Sequence, residues 1–176
     1  MPISTISNIT AALKSGARPN LFKVNLTSPN TGVTLPTNSS LLCKATSIPA
    51  YTIGMIEVPF RGRRIKVPGD RTFAEWTATF IVDQSFSMRK HFESWMNLIK
   101  AQDFTTTSHR AVTATNTDYY ATADVIQLAD DGASVRTYKM IDVFPTDVSQ
   151  IDVSYDSTDA IEEFTVTFNY HYFTVA

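Results

Sequence analysis

Apolar and polar residues alternate with a period of two along most of this chain, which predicts strands with one buried and one wet face. From Leu21 to Leu26, Phe22, Val24 and Leu26 oppose Lys23 and Asn25. From Ala74 to Val82, Trp76, Ala78, Phe80 and Val82 oppose Glu75, Thr77, Thr79 and Ile81, so a strand with a threonine-rich second face borders water there. Ala121 to Ala129 and Ser134 to Phe144 read as a hairpin closed by the tight-turn sequence Asp130-Asp131-Gly132. A last hairpin pairs Val148 to Tyr155 with Glu162 to Val175 around Asp156-Ser157-Thr158-Asp159. In its final strand Phe164, Val166, Phe168, Tyr170 and Tyr172 oppose Thr165, Thr167, Asn169 and His171.

The period lengthens twice. Ile3, Ile6, Ile9 and Leu13 recur at near-helical spacing, with Ser4 or Ser7 as N-cap and Gly16 as a stop, so a short helix with one narrow apolar stripe opens the chain. Ser85 to Lys100 is the long helix: Met88, Phe92, Trp95, Met96 and Ile99 share a face, and Arg89, Lys90, Glu93 and Asn97 lie opposite. Thr27 to Ser40 reads as a long hairpin loop before the sheet resumes at Leu41 to Thr46, and the Thr-rich Ala101 to Asp118 reads as a mobile loop. Between Ile48 and Gly69, Pro49, Pro59 and Pro68 interrupt β-rich pieces. Proline lacks an N–H, so this is expected to be a projecting edge hairpin, with a basic strand, Arg63 to Val67, leading into a Pro68-Gly69-Asp70 turn.

Composition narrows the function more than the fold. The 176 residues are 43% hydrophobic and 18% charged, with a net charge of −2, so the excess of Lys and Arg that drives phosphate binding is missing. A single cysteine, Cys43, excludes an intrachain disulfide framework and suits a reducing cytoplasm; its neighbours Leu41, Leu42 and Ala45 predict a buried hydrophobe and not a nucleophile. No basic region precedes an apolar run at the start, and no segment approaches the roughly 20 apolar residues of a membrane span. Neither export nor membrane insertion is expected.

Candidate chemistry is thin. His91, His109 and His171 lack zinc-ligand spacing and read as surface or rim histidines. Asp156 to Asp159 resembles half of a calcium loop but lacks its later glycine and glutamate. Phosphate-loop and nucleophile-elbow sequences are absent, so no catalytic residue, metal or cofactor is expected. Arg61-Gly62-Arg63-Arg64-Ile65-Lys66 is the one basic run. In an acidic chain it suits carboxylates of a neighbouring subunit better than nucleic acid, or it is a solvated edge kept basic against unwanted pairing.

Ala17-Arg18-Pro19-Asn20-Leu21-Phe22-Lys23-Val24, Cys43-Lys44-Ala45-Thr46-Ser47-Ile48-Pro49-Ala50, Val67-Pro68-Gly69-Asp70-Arg71-Thr72-Phe73 with Trp76, Asp142-Val143-Phe144-Pro145-Thr146 and Glu163-Phe164-Thr165-Val166-Thr167-Phe168 follow in one collinear order. Together they resemble the tail tube proteins of contractile-tailed, T4-like bacteriophages. The resemblance implies a mainly β fold of two packed antiparallel sheets forming a barrel-like sandwich, with one main amphipathic helix and a short N-terminal one, as a single domain over residues 1–176.

It also implies a structural protein of the virion, made and assembled in the host cytoplasm. Six subunits close a ring, rings stack into a tube, and double-stranded DNA passes without specific binding. The expected partners are further copies of the chain, the tail sheath, baseplate and tail-terminator proteins, and a tape measure protein in the lumen during assembly. Glu75, Thr77, Thr79, Thr165, Thr167 and Asn169 are the expected lumen face. Arg61, Arg63, Arg64, Lys66, Asp70 and Arg71 are the expected inter-subunit contact, and Arg89, Lys90 and Glu93 the sheath contact. The competing reading is a small-ligand or carbohydrate-binding β-sandwich with Trp76, Tyr119 and Tyr120 as a stacking platform.

Overall fold

Nine strands and three helices are found in the computed structural model, which describes residues 6–13, 16–29, 34–99 and 119–176. In chain order they are α1 (Ile6–Leu13), β1 (Phe22–Leu26), α2 (Ser39–Leu42), β2 (Cys43–Thr46), β3 (Tyr51–Phe60), β4 (Arg63–Phe73), β5 (Trp76–Ile81), α3 (Ser87–Ile99), β6 (Ala121–Leu128), β7 (Ser134–Val148), β8 (Glu163–Asn169) and β9 (Tyr172–Val175). Seven strands form one antiparallel sheet in the order β1-β6-β7-β8-β5-β2, with β9 also on β7. The expected Ala101 to Asp118 loop and His109 lie outside the described residues.

β7 divides the sheet into two halves. Its first part pairs with β6 and β9, and its last part, Phe144 to Val148, pairs with β8. The change of partner falls at Asp142, whose φ of +57° is a left-handed conformation that asparagine and aspartate tolerate better than most residues. The facing chain breaks at the same level: β8 ends at Asn169, and β9 resumes at Tyr172 on the other half. The Asp142 carboxylate bonds His171 Nδ1 at 2.9 Å across this bend. Both halves contribute to one core, Val24, Val125 and Met140 from one side and Trp76, Phe80, Phe164 and Phe168 from the other. The packing is therefore sandwich-like, but β1 and β2 remain as edges and the sheet does not close into a barrel.

α3 lays its apolar face on the β5–β8 half, Phe92 meeting Phe80 at 5.1 Å and Phe168 at 5.7 Å between ring centroids. Asp83 caps the helix by accepting the Ser87 N–H at 2.8 Å, and the Ser85 hydroxyl bonds the same carboxylate. These local bonds hold the Asp83 carboxyl below its usual range. α1 ends as anticipated, with Gly16 at φ +69° donating to Leu13 O at 2.7 Å. Its stripe residues Ile6, Ile9 and Leu13 are all exposed, so α1 finds no cover among the described residues.

Four expectations change. Thr27 to Ser40 does not join a hairpin: β1 pairs with β6 and β2 with β5, at opposite edges of the sheet, and the segment ends in α2. Pro68-Gly69-Asp70 is not a turn, because β4 runs through it and the hairpin reverses at Arg61-Gly62, with φ of +43° and +79°. Both central residues at positive φ suit a two-residue hairpin turn, and only Gly62 advertises it in the sequence. Gly69 instead lies against the bulged strand at Gly54, where a Cβ would stand 3.2 Å from the Gly54 carbonyl oxygen. Val148 to Tyr155 is not a strand, since β7 continues past Pro145 to Val148 and residues 149–162 connect to β8. The break at Tyr170-His171 also ends the expected alternation: Tyr172 is exposed and Phe173 half-buried.

Candidate functional site

Two surfaces stand apart from the core: the outer face of the β5–β8 pair and the β3–β4 hairpin. Register places Thr77 opposite Thr167 and Thr79 opposite Thr165, a tile of four threonines on the face away from α3. The Thr79 and Thr165 hydroxyls bond at 3.0 Å. Glu75 precedes β5, and Asn169 closes β8 at the same end, where its Oδ1 accepts the Tyr170 N–H at 2.9 Å. At the other end Lys44 Nζ donates to Glu163 Oε1 at 2.5 Å, neutralising a cation beside the tile. Asp147 of β7 lies opposite Thr167 and adds an exposed carboxylate. The face is thus hydroxyl-rich with a slight acidic excess. Asp147 was hidden in the sequence because Pro145 reads as a strand terminator. Here Pro145 sits on the part of β7 whose other side carries no partner strand among the described residues, where its missing N–H costs no ladder bond.

Among the described residues the β3–β4 hairpin is anchored only at its base, where Tyr51 and Phe73 meet Phe173 at 5.7 Å each and Phe73 meets Tyr170 at 5.9 Å. Beyond that, all ten residues of β3 are exposed, and a ten-residue strand reaches about 30 Å. Arg61, Arg63, Arg64, Lys66, Asp70 and Arg71 all lie on this arm and are all exposed. Arg64 pairs with Glu57 at 2.7 Å, Arg61 covers the Phe60 ring, and Arg71 covers Tyr51. Ile53, Met55, Ile56, Val58, Ile65 and Val67 leave both faces apolar, more than an isolated two-stranded ribbon sustains in water.

On α3, Arg89 does not belong to a free charged face. It is half-buried, donates to Ser149 O at 2.5 Å and to Glu93 at 2.7 Å, and lies over the Phe164 ring. Lys90 and Glu93 are exposed. His91, expected at the surface or a rim, is 4% exposed. Its Nδ1 lies 3.0 Å from Thr34 O, so that nitrogen carries the proton and Nε2 is an acceptor with no partner among the described residues. A cavity of about 500 Å³ lined by Thr34, Pro36, Ser85, Lys90 and Ser94 lies beside it.

Burial lowers the His91 pKa from its ordinary 6.5, with the Thr34 bond acting more weakly the other way. The folded state then resists a proton that the unfolded chain accepts. Stability is intact above pH 6.5 and falls as the pH drops below it, by at most about 1.4 kcal/mol per pH unit. Urea midpoints at pH 7.5 and 5.5 should drop more for the natural chain than for His91→Gln.

The alternative stacking platform is not assembled. Trp76 is wholly buried, and Tyr119 and Tyr120 are half-buried against each other, ring centroids 4.3 Å apart. Cys43 is buried, and burial pushes its thiol up to about 12, so it is not a nucleophile. No cluster of potential metal ligands occurs among the described residues, and none of their helices is long and apolar enough to cross a membrane.

A family model described as phage tail tube protein matches residues 17–176. The chain belongs to the phage tail tube protein family. It is a structural component of the virion tail and not an enzyme. It is 33% identical over 165 residues to tail tube protein gp19 of Enterobacteria phage T4, covering 92% of this chain and 94% of that one. The tail tube protein of Serratia phage KSP90 is 25% identical over 174 residues, 96% of this chain and 95% of that one. Among solved structures, the extended sheath–tube complex of the PVC extracellular contractile injection system shares the fold, with a TM-score of 0.65 at 16% identity and 99% of both chains covered. The tail tube match begins after α1, so the uncovered Ile6-Ile9-Leu13 stripe lies outside it.

Proposed function

We propose that this tail tube protein forms rings of six that stack into the inner tube of a contractile phage tail, with double-stranded DNA passing through the lumen. The observation that carries this reading is the four-threonine tile of β5 and β8, Thr77 exposed and the other three half-buried, on a sheet whose edges β1 and β2 are open among the described residues. Open edges on a curved sheet invite pairing with further copies, and a rotation that closes makes a ring. A hydroxyl-rich wall with Lys44 beside it neutralised by Glu163 offers phosphates little to grip. Thr77, Thr79, Thr165 and Thr167 form that wall, with Glu75 and Asn169 at its rim.

The remaining surfaces take the other partners. The β3–β4 arm reaches a neighbouring copy, which covers its apolar faces. Exposed Lys90 and Glu93 on α3 meet the sheath, with Arg89 holding Glu93 in place. The tape measure protein fills the lumen during assembly, and baseplate and terminator proteins end the tube. Negative-stain microscopy of the purified protein tests the whole: rings or tubes with a central channel are expected, and a chain that stays monomeric at high concentration overturns it.

A further inference from the structure

A side-chain bond joins the two stretches of chain that cross the bend in the sheet. β7 crosses at Asp142, between Ile141, which pairs with Tyr172 of β9, and Phe144, which pairs with Asn169 of β8. The link from β8 to β9 crosses at Tyr170-His171. A carboxylate only accepts, so His171 Nδ1 donates to Asp142 Oδ2, at 2.9 Å, and the His171 backbone N–H donates to Ile141 O at 3.2 Å. The Tyr120 ring packs on the imidazole, with centroids 5.3 Å apart. Asp142 carries its φ of +57° in the middle of a strand, a backbone that a residue other than glycine keeps only where its surroundings impose it. The carboxylate of that same residue makes the link.

The β3–β4 arm straddles this bend. Its root belongs to the half that carries the threonine tile: β2 leads into it and β5 out of it, Ser47 N bonds Thr77 O at 3.4 Å, and the Trp76 indole donates to Thr46 Oγ1 and Ser47 O. Its seat lies on the crossing and on the other half. Phe73 meets Tyr170, and Tyr51 and Phe73 both meet Phe173 of β9, so the seat brackets His171 in the chain. A change in the angle of the bend therefore moves the seat relative to the root. With about 30 Å of strand in the arm, a swing of about 10° displaces its tip by about 5 Å.

We infer that the Asp142–His171 pair is a latch that fixes the direction of the β3–β4 arm against the tile half of the sheet, and that opening it lets the arm swing. Both side chains stay in contact with water, 55% exposed for His171 and 40% for Asp142, so the bond can open without disturbing the core. Asp142 and His171 act through the aromatic seat and are positioning residues. A latched arm is ordered before it meets whatever covers its apolar faces, so less freedom is lost when it docks.

Spin labels at Arg63, near the tip of the arm, and at Thr77 on the tile, both exposed, read the arm's direction as a distance distribution. The full chain is measured diluted to a monomer, as checked by sedimentation, so the outcome is independent of ring formation. Asp142→Gly keeps the positive φ and removes the carboxylate, while His171→Phe keeps a ring against Tyr120 and removes the donor. Each should widen the distribution about twofold, and the double variant should widen it no further than either one, because a shared bond is lost only once. Circular dichroism and urea midpoints check that the fold persists. An unchanged width in either single variant overturns the inference, since backbone and packing would then hold the arm. A double variant as wide as the two effects combined also overturns it, because the residues would act separately. If both single variants lose the fold, the pair holds the whole sheet and not the arm's direction; if the natural arm is already broadly distributed, there is no latch to open.

Discussion

Trp76→Ala should cost about 3–5 kcal/mol, a large share of the 5–15 kcal/mol that holds a typical domain together. Trp76 is 0% exposed and stacks on Phe168, the residue opposite it across the β5–β8 ladder, at 4.8 Å between centroids. Its indole N–H donates to Thr46 Oγ1 at 2.9 Å and to Ser47 O at 3.0 Å, tying β5 to the strand end that leads into the hairpin. Truncation removes the packing and leaves a cavity, and it strips the donor from both acceptors. The urea midpoint should fall with an unchanged m-value, and the melting temperature should drop by about 10 °C. Trp76→Phe separates the two contributions: it keeps most of the ring and loses the donor, for about 1–2 kcal/mol. Exposed Thr77, one residue along the same strand, should tolerate alanine within about 0.5 kcal/mol. A midpoint unmoved by Trp76→Ala would mean that the core is anchored elsewhere.

That contrast between neighbours explains what the sequence could disclose. Where one face of a strand is buried, a period of two is enforced by packing, and the alternation from Trp76 to Ile81 and from Phe164 to Phe168 emerges residue for residue. Where neither face is buried, nothing enforces it. The hairpin's Ile53 to Val67 pieces are apolar on both sides and exposed on both, so the stronger Pro-Gly-Asp signal points to the wrong place for its turn. The break at Tyr170-His171 was invisible for a different reason. It answers the bend at Asp142, nearly thirty residues away, and no local pattern reports a bend in a partner strand. His91 looks exposed from its own helix alone, whereas it is buried beside Thr34, on a segment whose course no periodicity predicts. Among the candidate residues, the threonine face could be read directly because register alone assembles it. Arg89 could not, since its engagement with Ser149 depends on how α3 lies against the sheet.

Thr77→Lys should slow DNA release by about an order of magnitude at low salt in particles built from the variant. The side chain is exposed on the tile, so lysine enters without disturbing the core, whereas Thr165→Lys would also break the bond to Thr79. In the proposed ring of six copies repeated along a tube, one substitution would line the channel with evenly spaced cations. Each cation that meets a phosphate displaces a counterion, so the drag should weaken steeply as salt rises. Lys44 shows what a tolerated cation on this face requires: Glu163 stands 2.5 Å from its ammonium, and Thr77 has no carboxylate across from it, only Thr167. Thr77→Gln, similar in bulk and uncharged, should release DNA at the natural rate, which isolates charge from crowding. Normal, salt-independent ejection from Thr77→Lys particles would place this face away from the channel and assign the wall to another side of the sheet.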